Sequence, residues 1–325
     1  ISPAWWPVLA LASPVLAPAL WARGRVFCRD AEEAAADNAA RIAATRPLDL
    51  PEVDWLELRV LADWRAKEGY RGEAGVSCLF RTPLGSLLFD VAFGDETGVV
   101  AHNAARLGIK PSDIDAVALS HLHNDHMGGT EAFRAKAVRF PASLQPAKPV
   151  PCFLPAAASA DGFEARVVEA PRLLTAGIAS TGPLARRLFL LGRVEEQALV
   201  VRIRGKGLVV FTGCGHQTLP TLLEMVRRMS PDPIYAIGGG FHLPLSEGRL
   251  KGPGVDLQTI LGTGKLPWQR IDEADVETTA RAIRDAKPER LLLSAHDTCD
   301  EALRRLAAAT PCDALVIEAG GVYRL

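Results

Sequence analysis

A run of seven residues, S-H-L-H-N-D-H from Ser120 to His126, constrains this chain more than any other feature. Three of the seven histidines of the chain lie in this run, together with one aspartate. Imidazole and carboxylate groups are the ligands that zinc and similar divalent ions prefer. The spacing therefore predicts a metal site and not merely a polar loop that is rich in histidine.

The position of this run in the chain supports the prediction. The short apolar stretch 116–119 before it is typical of a buried strand, and two glycines follow it at the start of a predicted helix near Thr130. A loop between a strand and a helix holds its side chains in fixed directions. Two histidines at a spacing of two can point toward one ion, while the adjacent Asp125 and His126 turn toward a second.

Four further segments accompany the run. They are L-L-F-D at 87–90, V-V-F-T-G-C-G-H at 209–216, G-G-F-H-L at 239–243 and S-A-H-D-T at 294–298. Together with H-x-H-x-D-H, this set resembles the metallo-β-lactamase superfamily. T-G-C-x-H followed by G-G-F-H-L is similar to one branch, the dihydropterin ribofuranosyl-aminobenzene phosphate synthase-like hydrolases. The resemblance extends from Leu56 to Leu325.

The resemblance implies the fold and the domain organisation. It predicts an α/β protein, a metallo-β-lactamase-like αββα sandwich in which two packed mixed sheets lie between outer helices. The pattern of strands and helices alone also allows a doubly wound sheet. Residues 51–325 are expected to form the catalytic domain. Residues 1–50 are expected to form an apolar segment with Trp and Pro, then a polar helix at 29–46 and a linker.

The resemblance also implies the ligands of a binuclear metal site. One ion is expected on His121, His123 and His216, and the other on Asp125, His126 and His296. Zinc is the expected metal in both positions, with manganese or iron as alternatives. Cys214, two residues before His216, is a further candidate ligand, because a thiolate binds zinc well. Asp90 is expected to orient a ligating histidine without itself binding metal.

His242 and Asp125 are the candidate catalytic residues. His242 follows three glycines, which allow the backbone to approach a ligand closely. Four roles stay open for it: binding of a substrate oxyanion or phosphate, donation of a proton, contact with a metal, or a structural role in a turn. His102 lies in a predicted helix outside every motif and is expected to be structural.

These residues predict a metal-dependent hydrolase. A water between two divalent ions loses a proton near neutral pH, because metal binding lowers its pKa to about 7. The metal-bound hydroxide is expected to attack a small-molecule ester, either a phosphoester or a cyclic ester. Two other classes stay open: an iron-dependent oxidoreductase or dioxygenase on the same fold, and a non-catalytic relative that only binds.

Composition limits the partners. With 37 Lys and Arg against 38 Asp and Glu, the formal net charge is −1, and no dense basic tract is present. The expected partner is a small-molecule substrate and not a nucleic acid, because neutralising phosphates needs a basic face. The six cysteines form no C-x-x-C pair, which favours reduced thiols and a cytoplasmic protein. The oligomeric state stays open.

The N-terminal segment is of a different kind. Residues 1–22 carry no charge, tryptophans bracket the apolar run 8–20, and Arg23 and Arg25 follow. This pattern favours contact with a membrane surface through residues 1–25. An arm packed on the protein and a processed export signal are the alternatives. Prolines, among them Pro14 and Pro18, are expected to break or kink a helix here.

The spacing of apolar residues and the positions of glycine and proline predict the remaining strands and helices. Strands are predicted at 56–61, 76–82, 86–92, 197–203, 208–211, 234–237, 291–293 and 314–317, and helices at 99–107, 222–229, 276–286 and 302–308. The proline-rich stretch 141–155 is expected to be a surface loop beside the substrate cleft. The glycine-rich stretch 247–267 is expected to be an active-site loop or lid.

Overall fold

The computed structural model describes residues 6–252 and 255–325. The helices are α1 (Trp6–Ala44), α2 (Val99–Arg106), α3 (Asn124–Met127), α4 (Thr130–Ala135), α5 (Leu219–Met229), α6 (Leu257–Leu261), α7 (Glu273–Ala286) and α8 (Asp300–Ala309). Short 3₁₀ turns lie at Pro111–Asp113 and Ala142–Leu144.

The described residues also form the strands of the fold, nine of which, β7 to β15, follow one another without an α-helix between them. They are β1 (Glu52–Val53), β2 (Glu57–Ala62), β3 (Ser77–Thr82), β4 (Gly85–Phe89), β5 (Val117–Ala118), β6 (Ala137–Val138), β7 (Pro151–Leu154), β8 (Ser159–Ala160), β9 (Glu164–Val167), β10 (Arg172–Thr175), β11 (Ile178–Ser180), β12 (Leu184–Leu188), β13 (Gly192–Glu196), β14 (Leu199–Ile203), β15 (Gly207–Thr212), β16 (Ile234–Gly239), β17 (Lys251–Gly252), β18 (Val255–Asp256), β19 (Arg290–Leu293), β20 (Asp313–Val316) and β21 (Val322–Arg324).

Two mixed sheets contain most of these strands. The first has the order β21-β2-β3-β4-β5-β7-β9, and the second has the order β10-β11-β14-β15-β16-β19-β20, with β1 beside β14. In the first sheet β4, β5, β7 and β9 run parallel, and in the second β15, β16, β19 and β20 do. Parallel neighbours end at the same edge, so the loops after them lie together.

Apolar side chains fill three layers. Between the sheets, Phe80 and Phe89 pack against Phe211, with the Phe80 and Phe211 ring centroids 5.0 Å apart. A second layer joins the second sheet to α5, α7 and α8, and a third joins the first sheet to α2 and α4. The predicted αββα sandwich of two mixed sheets with outer helices is therefore confirmed.

Helix α1 packs on the fold through its second half. The Asn38 side chain bonds to both the N–H and the carbonyl of Ala185 in the β12–β13 hairpin, and Arg41 pairs with Glu195 in the same hairpin. These contacts hold α1 on the β12–β13 hairpin, which is a separate two-stranded sheet. The predicted polar helix at 29–46 corresponds to the C-terminal part of this longer helix, which ends at Ala44.

Two sequence expectations differ from the structure. Helix α1 continues without a break through Pro14 and Pro18, where a break or kink is expected, because each proline removes one N–H donor and leaves the hydrogen bonds of the other residues. The stretch 141–155 is not wholly a surface loop, because its end is β7, a strand buried between β5 and β9. Pro151 stands at the first position of β7, where a missing N–H costs little.

Candidate metal centre

The predicted ligand residues follow strands that end at neighbouring edges of the two sheets. The 121–126 loop follows β5 of the first sheet, whereas His216, His242 and His296 follow β15, β16 and β19 of the second. The loops approach closely: a Cβ atom at Gly213 would lie 2.2 Å from Ser120 Oγ. Only glycine therefore fits between the T-G-C segment and the histidine loop.

The first predicted set of ligands is brought together. His121 Nε2 lies 3.0 Å from His123 Nδ1, and the His216 ring centroid is 4.9 Å from that of His121 and 5.1 Å from that of His123. His121 and His216 are buried, and His123 lines a cavity that opens from the cluster. The three imidazole rings thus lie side by side, and the ring nitrogens of His121 and His216 group with Cys214 Sγ.

The second predicted set also converges. His126 Nε2 lies 3.2 Å from His296 Nε2, and Asp125 Oδ2 is 3.8 Å and 3.4 Å from these two nitrogens. Cys214 Sγ lies between the sets, 3.1 Å from His126 Nε2 and 3.3 Å from His296 Nε2, and it groups equally with His121 and His216. The thiol therefore occupies the central position of the cluster.

Hydrogen bonds within the described part of the protein leave several ring nitrogens of this cluster without a partner. Among the described residues, both ring nitrogens of His216 are buried without a hydrogen-bond partner, as is Nδ1 of His296. An unpaired buried polar group is costly, and such a group needs a partner that the protein itself does not supply. Imidazole, thiol and carboxylate donors within 4.8 Å of one another suit a divalent cation, so this donor set fits a metal.

The charge state of the cluster agrees with this fit. Burial and the neighbouring imidazoles hold the pKa of His121 and His216 well below its ordinary value, and burial lowers the pKa of His123 to about 4. These rings are neutral and can offer lone pairs to a cation. Burial and nearby carboxylates raise the pKa of the Cys214 thiol well above its ordinary value. A bound cation would lower this pKa and favour the thiolate.

Asp90 contacts the histidine loop as the motif predicts for an orienting residue. Its Oδ2 accepts hydrogen bonds from Ser120 Oγ and His126 Nδ1, each at 2.7 Å, and its Oδ1 accepts from Ser120 N at 2.6 Å. Burial lowers the pKa of His126, but Asp90 and Asp125 outweigh burial and raise it to about 9. Asp90 has a φ of 61°, an uncommon backbone conformation that these three hydrogen bonds hold in place.

Two buried carboxylates near the cluster are absent from the sequence predictions. Glu196 accepts hydrogen bonds from the N–H groups of Gly215 and His216, at 2.8 Å and 2.7 Å. Asp63 accepts from Ser294 Oγ and Ala295 N, just before His296. Asp63 directly follows strand β2, as Asp90 directly follows β4, and this position after an apolar strand could have identified Asp63 from the sequence. Glu196 has no comparable position.

His242 is held by a third carboxylate, Asp297, which the sequence motif contains without a predicted role. Asp297 Oδ2 lies 2.8 Å from His242 Nδ1, and Oδ1 accepts from His242 N at 3.3 Å. Burial raises the pKa of Asp297, but the His242 imidazole outweighs burial and holds it below its ordinary value. His242 Nε2 has no hydrogen-bond partner among the described residues and faces the cavities beside the cluster. His102 lies away from the cluster, near Gly69.

A cavity of about 230 Å³ opens from the cluster, and we call it the apolar cavity. Polar atoms of the cluster form its floor, and its wall contains Phe93, Phe133, Leu191, Leu250 and Leu257. The predicted loop or lid at 247–267 contributes part of this wall and includes the short helix α6. The cavity suits a substrate with an apolar or aromatic group.

Comparison with known proteins agrees with the fold. The family model of the metallo-beta-lactamase superfamily matches residues 70–138, which include β4 and the histidine loop. Over 253 residues the chain is 23% identical to the 7,8-dihydropterin-6-methyl-4-(beta-D-ribofuranosyl)-aminobenzene-5'-phosphate synthase of Methanocaldococcus jannaschii. That alignment covers 60% of this chain and 80% of the relative.

Solved structures are also similar to this chain. A metal-dependent hydrolase of the beta-lactamase superfamily matches with a TM-score of 0.58 and 21% identity, over 82% of this chain and 98% of that one. The metallo-beta-lactamase fold protein YhfI from Bacillus subtilis has a TM-score of 0.49 and 16% identity, over 84% and 100% of the two chains. The resemblance to the metallo-β-lactamase superfamily is thus confirmed, and this fold implies a divalent metal for which the cluster offers candidate ligands.

Proposed function

We propose that this chain, which has the metallo-β-lactamase fold, is a metal-dependent hydrolase that acts on a small-molecule ester with a binuclear metal centre. One observation carries the proposal: imidazole, carboxylate and thiol donors converge from both sheets, while both nitrogens of the buried His216 lack a partner in the described part of the chain. A histidine that only stabilised the fold would be expected to have at least one hydrogen bond.

Two groups of residues would hold the ions. They are His121, His123 and His216 for one ion and Asp125, His126 and His296 for the other, with Cys214 between them. Divalent ions, when bound, supply Lewis acidity and a water activated for attack near neutral pH. Zinc is the proposed metal, because imidazole and thiolate donors suit it, and manganese and iron are the alternatives.

The remaining residues would bind the substrate and move a proton. Asp297 fixes the His242 ring through Nδ1, so that Nε2 faces the cavities and can donate a proton to a leaving group or bind an oxyanion. Asp125 lines the same cavity beside the cluster and can orient the attacking water. The apolar wall would hold the carbon skeleton of the ester and exclude bulk water.

Metal content tests the centre directly. Plasma mass spectrometry should find about two equivalents of metal in the wild type and about one in Asp125→Ala, because that substitution removes a ligand of one ion. Asp161→Ala, at an exposed position, is the matched control and should retain both. One equivalent of iron in the wild type, unchanged by Asp125→Ala, would contradict the binuclear centre and support the dioxygenase alternative.

A substrate panel tests the reaction class. Purified protein loaded with Zn²⁺ or Mn²⁺ should hydrolyse at least one of a phosphodiester, a lactone and a thioester, and Asp125→Ala should lose at least about 100-fold in kcat/KM. The phosphate in the name of the archaeal relative favours phosphoesters for the first screen. Failure of the whole panel with a full metal complement would contradict hydrolysis and favour a non-catalytic relative.

We also propose that the first half of α1 contacts a membrane surface. Leu11, Val15 and Trp21 are exposed, whereas from Arg23 onward the helix packs on the hairpin. Residues 1–5 of the proposed contact lie outside the described residues. No described helix has both the length and the hydropathy needed to cross a membrane. An exposed apolar helix followed by arginines suits the interface of a bilayer.

Co-sedimentation with vesicles of phosphatidylglycerol and phosphatidylcholine tests this contact. The wild type should bind, and the double substitution Leu11→Glu with Val15→Glu should reduce the bound fraction at least fivefold. Leu84→Glu changes another exposed apolar residue, in a turn of the first sheet, and should leave binding unchanged. Equal binding of all three proteins, or no binding by any, would contradict the proposal.

A further inference from the structure

A second cavity shares part of its wall with the apolar cavity. It has a volume of about 120 Å³, and we call it the Arg186 cavity. The two cavities have His216, His242 and Gly262 in common. Its lining contains apolar side chains, such as Leu188 and Phe241, but it also contains the polar side chains Arg186, Thr218, Thr263 and Lys265. A ligand at the metal cluster can therefore extend in two chemically different directions.

Arg186 brings an unbalanced positive charge to this cavity. Asp275, the carboxylate in the cavity wall, is already paired with Lys265. In the ranges 6–252 and 255–325, no carboxylate lies within ion-pair distance of Arg186, and its guanidinium donates one weak hydrogen bond, 3.4 Å to Gly264 O. Burial holds the pKa of Arg186 below its ordinary value, and Asp275 only partly offsets this. A partly desolvated guanidinium without a carboxylate favours an anionic ligand.

Two unpartnered polar atoms face the same space. The Thr263 hydroxyl is buried without a hydrogen-bond partner among the described residues, and Thr263 is only 6% exposed. His242 Nε2, also unpartnered, lines the cavity from the side of the metal cluster. The Thr263 hydroxyl can donate a hydrogen bond to an oxygen, and His242 Nε2 can do so when the ring is protonated, because Nδ1 donates to Asp297. Their partner is therefore expected to be a ligand, because the described protein supplies none.

The start of helix α5 completes the wall. Thr218 and Leu219 line the cavity at the N-terminus of this 11-residue helix, where the Leu219 N–H lacks a partner within the helix and Pro220 has no N–H. The positive end of a helix attracts anions, most strongly a phosphate that can accept several hydrogen bonds. A guanidinium, a hydroxyl and a helix N-terminus thus surround one space that lies beside the metal cluster.

We propose that the Arg186 cavity binds a phosphate group of the substrate, separate from the ester that is hydrolysed at the metal cluster. This inference rests on the proposed function for the place of the scissile bond, but not for the anion site itself. The substrate class that follows is a phosphorylated ester with an apolar or aromatic group. The phosphate lies in the Arg186 cavity, and the apolar group lies in the apolar cavity.

Calorimetric titration of inorganic phosphate into the metal-loaded full chain tests the anion site without turnover. Arg186→Met should weaken phosphate binding at least tenfold, Thr263→Val about threefold, and Arg186→Lys less than Arg186→Met, because the charge remains. Arg193→Met is the matched control, since Arg193 lies in the same hairpin but pairs with Asp37 and Glu195. It should change binding less than twofold.

A second arm separates this site from phosphate held by the metals. Asp125→Ala removes a proposed metal ligand that lies outside the Arg186 cavity. Phosphate should still bind to this variant, and that binding should still depend on Arg186. Binding that is lost in Asp125→Ala and unchanged in Arg186→Met would overturn the inference. Acetate that binds as tightly as phosphate, with the same dependence on Arg186, would overturn the assignment to phosphate. Arg186-dependent binding in a protein that hydrolyses nothing would instead contradict only the proposed function.

Discussion

The two halves of the metal cluster are held in place in different ways. In the half from the first sheet, one short loop carries His121, His123 and His126, and Asp90 bonds directly to the ring of His126. In the half from the second sheet, each histidine lies on its own loop, and the carboxylates Glu196 and Asp63 bond chiefly to backbone N–H groups. One half depends on the orientation of a side chain, and the other on the conformation of loops.

This difference predicts the largest effect for Asp90→Asn. The asparagine keeps one acceptor oxygen but replaces the other, which accepts from Ser120 Oγ and His126 Nδ1. Loss of such a partner of a ligating histidine costs roughly 10–100-fold in metal affinity. Competition with a chromophoric chelator should show that loss for Asp90→Asn and none for the exposed Asp161→Asn. If Asp90→Asn bound the metal with wild-type affinity, a group other than Asp90 would have to orient the His126 ring.

The same difference between the two halves explains which residues of the cluster can be predicted from the sequence. The histidine loop is contiguous, so its spacing alone indicates the donors, and Asp90 directly follows the apolar residues 87–89 of strand β4. The ligands of the second half come from two loops far apart in the sequence, after β15 and after β19. Their predicted positions depend on the family resemblance, and the structure brings all of them together with Cys214 in the centre.

The supporting residues of the second half are harder to predict, for a physical reason. Glu196 ends β13, in the region 156–196 where no strand is predicted. Strand β9 there is exposed on both faces, so it has no apolar alternation, and the β12–β13 hairpin packs on α1 and not between the sheets. A buried Glu that bonds chiefly to backbone N–H groups leaves no pattern in a single sequence. The predicted strands and helices elsewhere match the observed ones because buried apolar residues mark each of them, on one face in the helices and on both faces in central strands such as β15 and β16.

A medium effect is expected for Glu196→Gln. Glu196 accepts from Gly215 N, His216 N and Thr212 Oγ1, and an amide would place a donor against at least one of these donors. An unsatisfied buried donor costs about 1–3 kcal/mol, so the free energy of unfolding should fall by about 2 kcal/mol. Urea unfolding of the metal-chelated protein measures this. Glu195→Gln, which alters a partly exposed ion pair with Arg41, should cost less than about 1 kcal/mol. Equal costs for both variants would contradict the role of Glu196 in the loop.

The smallest effect, and the most specific, concerns Asp63. Burial raises the pKa of this carboxyl from its ordinary value near 3.8 to about 7, although Ser294 Oγ and two backbone N–H groups oppose the shift. Between these two pH values the folded protein holds a proton that the unfolded chain has released, so its stability falls as the pH rises from about 4 to 7. Asp63→Asn carries no such proton. Its stability relative to the wild type should therefore increase by at least about 1 kcal/mol between pH 5 and pH 8.

Urea unfolding of metal-chelated protein at pH 5 and pH 8 measures that difference. The control Asp54→Asn lies on the surface beside Arg204, and its stability relative to the wild type should be the same at both pH values within about 0.5 kcal/mol. A constant difference for Asp63→Asn would show that Asp63 is ionised throughout and holds the His296 loop as a charged acceptor. The two halves of the cluster would then be supported alike, by carboxylates in the same charge state.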